Sequence, residues 1–223
     1  MDKSIAIMQP YFLPYIGYFQ LINNVDQFVL YDNIKYTKKG WINRNRITGG
    51  NVITIPIKKD SDSLDIVDRK LSNDWLNQKR KLFNKIKSSY IKSFNYKEGI
   101  ELLNNILEHK SNNLFEFIYN SIIEINSYLD IKTPIIPSSL LKRDRNLKSQ
   151  DSVIEICNIL KANKYINPIG GRELYIIKDF NKENINLIFI ENTYVNNFSI
   201  LDIIMNNSKL DIKNKFLNNY ILV

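Results

Sequence analysis

Residues 4–32 constrain the fold more than any other part of the chain. Ser4–Met8 is a short apolar run closed at once by Gln9-Pro10, which predicts a buried first strand. A loop rich in proline and tyrosine follows, Tyr11-Phe12-Leu13-Pro14-Tyr15-Ile16-Gly17-Tyr18. Phe19-Gln20-Leu21-Ile22 then has the apolar spacing of a helix, and residues 26–32 (DQFVLYD) form a second apolar run bounded by acids. Strand, tight loop, helix, strand opens an α/β unit with parallel strands.

The remaining pattern extends that unit. Residues 51–57 (NVITIPI) are rich in β-branched side chains and predict a third strand. Residues 58–72 are polar and read as a loop. From residue 73 to 128 the periodicity turns helical: Trp75, Leu82, Phe83 and Ile86 mark one face, Ile100, Leu103 and Ile106 a second, and Leu114, Phe117, Ile118, Ile122 and Ile125 a third. Thr133-Pro134-Ile135-Ile136-Pro137 ends this block. Ser149-Gln150-Asp151-Ser152 offers capping chemistry before an amphipathic run over 153–160. Residues 164–167 and 186–191 predict further strands, and 199–205 a final helix. The expectation is a single domain with a Rossmann-like α/β core of mainly parallel sheet. The core spans 1–57 and 130–223, with a helical insertion or lid over about 73–129.

Composition removes several function classes. The 223 residues, 44% hydrophobic and 24% charged, are those of a globular chain that needs no disulfide or metal staple. One cysteine, Cys157, and one histidine, His109, make a zinc site implausible, and no metal or cofactor is expected. The setting Leu107-Glu108-His109-Lys110 reads as a solvated helix end, which argues against histidine catalysis. No run approaches the roughly 20 apolar residues of a membrane span, and the first residues are too short an apolar run for a signal peptide. The expectation is therefore a soluble, cytoplasmic protein. Its formal charge of +8 favours an anionic partner: a nucleotide, a nucleic acid or a membrane surface.

Three segments could carry chemistry. The first is Gln9 to Tyr18, where the carboxyl end of a parallel strand meets a helix, the usual ligand edge of an α/β sheet. Tyr11, Tyr15 and Tyr18 offer ring faces, and Gly17 would let backbone N–H groups approach a phosphate. Tyr15-Ile16-Gly17-Tyr18 stands where class I synthetases and related nucleotidyltransferases carry His-x-Gly-His. Neutral phenols cannot supply the cation that adenylyl transfer requires. The second runs from Tyr31 to Arg46. Lys35, Lys38, Arg44 and Arg46 are phosphate partners, Tyr36 and Trp41 stacking surfaces, and Asp32 the one acid in the stretch; a solvated basic hairpin is the competing reading. Interleaved aromatic and basic residues also fit single-stranded nucleic acid. The third is Asn167-Pro168-Ile169-Gly170-Gly171-Arg172-Glu173-Leu174-Tyr175, whose paired glycines fit either backbone donors facing an anion or an ordinary turn. Lys142-Arg143-Asp144-Arg145 reads as a solvated charged face.

Together these segments resemble the WbqC-like family, found in bacterial polysaccharide and O-antigen gene clusters. The resemblance rests on Ile7 to Phe19, on Asp26-Gln27-Phe28-Val29 and Tyr31-Asp32, and on Tyr36, Lys38, Trp41 and Asn43-Arg44-Asn45. Gly170-Gly171, Tyr175 and the closing Phe198-Ser199-Ile200-Leu201-Asp202-Ile203-Ile204 extend it. Members commonly carry Tyr-x-Gln before that last motif; here Tyr194 is followed by Val195-Asn196. The resemblance implies a role in making or decorating unusual sugars. The reaction expected from it is amide formation on the amine of a nucleotide-linked dideoxy-aminosugar, with an acyl or aminoacyl group transferred. An aminoacyl-tRNA or another acyl donor would supply that group. Asp32 would receive the amine proton, and Gln9, Asn43 or backbone N–H groups near Gly17 would meet the oxyanion. Tyr11, Tyr15, Gly17, Tyr18, Lys35, Tyr36, Lys38, Trp41, Arg44, Asn45, Arg46, Gly170, Gly171 and Tyr175 would hold the substrate. The alternative is a non-catalytic module that binds a nucleotide-sugar or RNA.

Overall fold

The architecture rests on a sheet whose first strand lies in its interior. The computed structural model describes residues 2–194 and 196–223. Strands β1 (Ser4–Met8), β2 (Gln27–Leu30), β3 (Arg44–Ile47), β4 (Asn51–Thr54), β5 (Ile135–Pro137), β6 (Lys164–Pro168), β7 (Asn186–Asn192) and β8 (Tyr220–Leu222) are joined by helices α1 (Ile16–Asn23), α2 (Trp75–Ser89), α3 (Tyr96–Leu107), α4 (Leu114–Tyr128), α5 (Ser149–Ile159), α6 (Ile177–Lys182) and α7 (Ile200–Asn206). The main sheet has the order β5-β2-β1-β6-β7-β8. β1 pairs in parallel with β2, from Ile5 opposite Gln27 to Met8 opposite Leu30, and in parallel with β6 on its other side. Only β8 runs antiparallel, against β7. This is a Rossmann-like α/β fold.

Alternation along the strands sends side chains to two cores. Ile5, Ile7, Val29, Tyr165, Leu187 and Phe189 pack with Val153, Ile156 and Cys157 of α5 and Phe180 of α6. Ala6, Phe28, Leu30, Ile166 and Ile190 point the other way, into a larger core with α1, α7 and the block α2–α4. The sheet is thus covered on both faces, as buried parallel strands require. The helices α2–α4 bury Leu82, Ile86, Leu103, Ile106, Phe117, Ile118 and Ile122 beside Phe12 and Phe19 of the first β–α unit, so they share its core. Among the described residues no helix is long and apolar enough to cross a membrane.

Three elements differ from expectation. The predicted third strand, 51–57, is not part of the main sheet: β4 pairs antiparallel with β3 in a separate two-stranded hairpin. Its place in the sheet is taken by β5, formed by the segment that reads as a helix terminator. Its two prolines obscure the strand, but Ile135 and Ile136 still pair with Phe28 and Val29 at the sheet edge, where proline is tolerated. At the C-terminus a strand, β8, adds to the sheet without a clear apolar alternation to announce it. The departure from Tyr-x-Gln falls on Asn196, whose Oδ1 accepts from Phe198 N–H (2.9 Å); Val195 between them lies outside the described residues.

Candidate functional site

The sheet order places a crevice at one point. β1 connects onward to β2 on one side, whereas β6 lies on the other, so the loops leaving their carboxyl ends diverge. Ligands of open α/β sheets bind at such switch points. A cavity of about 430 Å3 opens here, lined by Met8, Gln9 and Tyr11 at the end of β1 and beyond it, Tyr31 and Ile34 after β2, Ser149, Gln150 and Val153 of α5, and Asn167, Gly171 and Tyr175 at the end of β6 and beyond it. We call it the tyrosine cavity.

A second cavity, of about 310 Å3, lies against the first and shares Tyr11 with it. Tyr11, Pro14 and Tyr15 from the β1–α1 loop line it together with Trp41, Asn45 and Arg46 from the β3 hairpin and its approach, and with Asn197. We call it the tryptophan cavity. The loops are bonded to one another: Phe12 N–H donates to Ile42 O (2.9 Å), and Asn45 Nδ2 donates to Leu13 O (2.6 Å) and Phe12 O (3.3 Å). Leu13 has a positive φ of 47°, a conformation costly for a branched side chain, and the Asn45 amide holds it there. The first two candidate segments therefore meet, through hydrogen bonds that no local pattern encodes.

Electrostatics in the two cavities are cationic or neutral. Among the described lining residues there is no carboxylate. The Arg46 and Arg44 guanidinium groups lie 5.1 and 5.5 Å from the centre of the half-exposed Trp41 ring. Burial raises the phenol pKa of Tyr11, Tyr15 and Tyr175 above the ordinary tyrosine value, so at neutral pH each is an uncharged hydroxyl. Tyr11 donates to Gln9 Oε1 (3.3 Å), which leaves the Gln9 Nε2 donor for a ligand. The Tyr165 and Tyr175 hydroxyls are 3.1 Å apart, and Tyr165 also donates to Asn167 Oδ1 (3.0 Å). The α5 N-terminus faces the tyrosine cavity through Ser149 and Gln150; it has no side-chain cap, and its free N–H groups favour an anion.

Several residues expected in the site are elsewhere. Asp32 is fully buried and lines neither cavity. Its carboxylate accepts from Ser138 Oγ (2.8 Å), Ser139 N–H (2.9 Å) and Ser139 Oγ (2.6 Å), joining the end of β2 to the loop after β5. It lies outside both cavities, with its carboxylate engaged by the Ser138–Ser139 turn. Asn43 is spent in the same way: its Oδ1 accepts from Tyr36 (2.8 Å) and its Nδ2 donates to Ile55 O (2.7 Å). Tyr36 is buried under the Arg69 guanidinium, 4.9 Å from its ring centre. Lys35 and Lys38 line a separate surface hollow, where Lys38 pairs with Asp62. Arg44 donates to Gly40 O (2.8 Å) and Lys39 O, which fastens the hairpin approach. Tyr18 is a core residue, 1% exposed, whose hydroxyl donates to Gln9 O (3.0 Å). Gly17 is covered by the Tyr15 ring and presents no open backbone to a phosphate. Gly170 is exposed and outside both cavities, whereas a β-carbon on Gly171 would overlap Asn167 Nδ2. Gln9, Tyr11, Tyr15, Trp41, Asn45, Arg46, Gly171 and Tyr175 do line the paired cavities.

The family model for the WbqC-like protein family matches residues 9–214. The chain belongs to the WbqC-like family. An uncharacterized protein of Mycobacterium tuberculosis, Rv1507c, is 30% identical over 187 residues, 78% of this chain and 80% of the relative. No solved structure matches the chain.

Sequence reading assigned no role to several residues that line these cavities. Tyr31, Ser149, Gln150 and Asn167 line the tyrosine cavity, and Asn197 the tryptophan cavity. The Ser149-Gln150 signal was visible as a helix start, but not the direction in which that helix points. Arg143, read as part of a solvated run, is instead half-buried: it donates to Ser152 Oγ (2.9 Å) and Asn33 Oδ1 (2.7 Å) and stacks on the Tyr31 ring at 5.0 Å. It therefore places a cation behind one wall of the cavity.

Proposed function

We propose that this WbqC-like protein binds a nucleotide-linked aminosugar across the paired cavities. It then transfers an acyl or aminoacyl group to the sugar amine, in the synthesis of a surface polysaccharide. The supporting observation is the junction at Tyr11, where a stacking, cationic chamber adjoins one lined by phenols, amides and an uncapped helix N-terminus. Each chamber is in the roughly 300–1,000 Å3 range of small-molecule sites. Rings suit the sugar or base, and Arg46 with the α5 N-terminus suits the diphosphate. In the reaction the amine nitrogen forms a bond to the acyl carbonyl carbon, and the bond to the donor's leaving group breaks. The proton leaving nitrogen goes to that leaving group or to water. Gln9 Nε2 is the side-chain donor offered to the oxyanion; the Tyr11 proton is engaged by Gln9 Oε1 and the Tyr175 proton by the Tyr165 hydroxyl.

The absence of a carboxylate among the described lining residues favours one competing reading, a non-catalytic nucleotide-sugar module. A thermal-shift panel of dTDP- and UDP-aminosugars, followed by mass spectrometry after incubation with acyl donors, separates the two. Stabilisation with an N-acylated product supports the transferase. Stabilisation without product across the donor panel supports the module, and no stabilisation overturns both.

A further inference from the structure

A concavity of about 830 Å3, larger than either of the paired cavities, shares no lining residue with them. Three separated chain segments build it. Lys58 N–H donates to Lys70 O (2.9 Å), Ser72 N–H to Pro56 O (3.0 Å) and Leu71 N–H to Asn112 O (2.8 Å), so residues near 58, 70 and 110 are laced side by side. Lys58, Lys70, Lys79 and Lys110 line the cleft, against one carboxylate, Glu108. Lys79 holds that carboxylate at 2.9 Å, and among the described residues the other three lysines form no ion pair. A trough with an excess of one charge concentrates the field along its length.

We infer that this cleft binds the phosphodiester backbone of a single-stranded RNA. Lys58, Lys70 and Lys110 come from different segments and are exposed, and an ammonium on a flexible stem acts as a point charge for a phosphate rather than as a fixed fork around one. Trp75 is only 8% exposed, with its indole set edge-on against Phe117 at 5.1 Å, so it offers no ring face to a base. Contacts are therefore to phosphates and carry no sequence preference. The concave shape favours a strand over a bilayer surface, and its openness to solvent favours a strand over an enclosed small ligand.

Fluorescence anisotropy of the full chain with a labelled single-stranded 12-nucleotide RNA tests the inference. Three or four phosphate contacts predict a log–log salt slope of about −2 to −3, a loss of roughly 15- to 60-fold between 50 and 200 mM salt. The double variant Lys58→Gln/Lys70→Gln should bind at least about tenfold more weakly at 50 mM and flatten the slope by about 1.4. Lys178→Gln/Lys213→Gln, outside the cleft, should bind as the parent does. An unchanged thermal midpoint and unchanged aminosugar-nucleotide titration in both variants separate this site from the paired cavities. Lys110→Gln, a third exposed position, supplies the same readout should the first double variant fold poorly. Equal losses in the two double variants, RNA binding insensitive to the cleft lysines, no binding at 50 mM salt, or competition by anionic vesicles at the same lysines would each overturn it.

Discussion

The ring of Tyr15 lies against the α-carbon of Gly17, in the space a β-carbon would occupy. This contact sets one wall of the tryptophan cavity, because the ring that covers Gly17 also lines the cavity beside Trp41 and Arg46. Gly17→Ala should push the ring outward and cost about 1–3 kcal/mol of stability through overpacking, offset in part by the better helix propensity of alanine. Thermal unfolding together with an aminosugar-nucleotide titration measures both effects. Parent-like values in both would mean the ring moves freely.

Arg46 and Arg44 should separate cleanly, although they are two residues apart. Arg46 faces the tryptophan cavity, so Arg46→Ala should weaken binding of an anionic ligand by about 1.5–3 kcal/mol, the worth of a charge-assisted hydrogen bond. Arg44 is committed to the carbonyls of Gly40 and Lys39, so Arg44→Ala should lower the melting temperature and leave affinity nearly unchanged. The reverse ranking in calorimetric titration would put the binding site at Arg44.

Asp32→Asn should behave as a folding mutation. The amide would set an N–H2 group against donors at Ser138 and Ser139, at a cost of about 1.5–3 kcal/mol for the charged hydrogen bonds lost. Denaturant titration reads this directly. Per folded molecule, ligand affinity should match the parent, and a parent-like unfolding midpoint would contradict the assigned role.

Asp202 gives stability a pH dependence. Burial raises its pKa above the ordinary aspartate value, against the lowering effect of the Tyr90 hydroxyl that donates to it at 3.2 Å. The folded state therefore holds this proton more tightly than the unfolded state. The contribution is greatest below the ordinary aspartate value and is lost as pH rises through the raised folded one. Asp202→Asn keeps an acceptor for Tyr90 and cannot titrate. Relative to the parent it should gain stability as pH climbs through that window, so parallel stability–pH curves would remove the effect.

Cys157 is fully buried, and burial pushes its thiol pKa up to about 12. A thiol reagent at neutral pH should leave the native protein unmodified and react once denaturant unfolds it. Rapid native-state labelling would require an opening of the α5 face of the sheet.

The parallel strands were readable because their evidence is local: Ser4–Met8 and the run around β7 are apolar stretches whose burial needs no knowledge of their partners. The helices α2–α4 were readable for the same reason, from periodic positions such as Leu82, Ile86, Phe117 and Ile118. Strand β5 was not, because Pro134 before it and Pro137 within it hide a three-residue strand that forms only where β2 offers an edge.

What the chain determined alone was the α/β class, the family, and the importance of the loop after β1, from which Gln9, Tyr11 and Tyr15 line the paired cavities. Which polar groups are free to meet a ligand was decided only by tertiary structure. Asp32 and Arg46 are equally plausible in a list of residues. One is consumed by serines more than a hundred positions away, while the other is turned into a cavity by the pairing of β3 with β4. The physical reason is that a hydrogen bond satisfies a side chain whatever the sequence distance of its partner, and local periodicity carries no information about that distance.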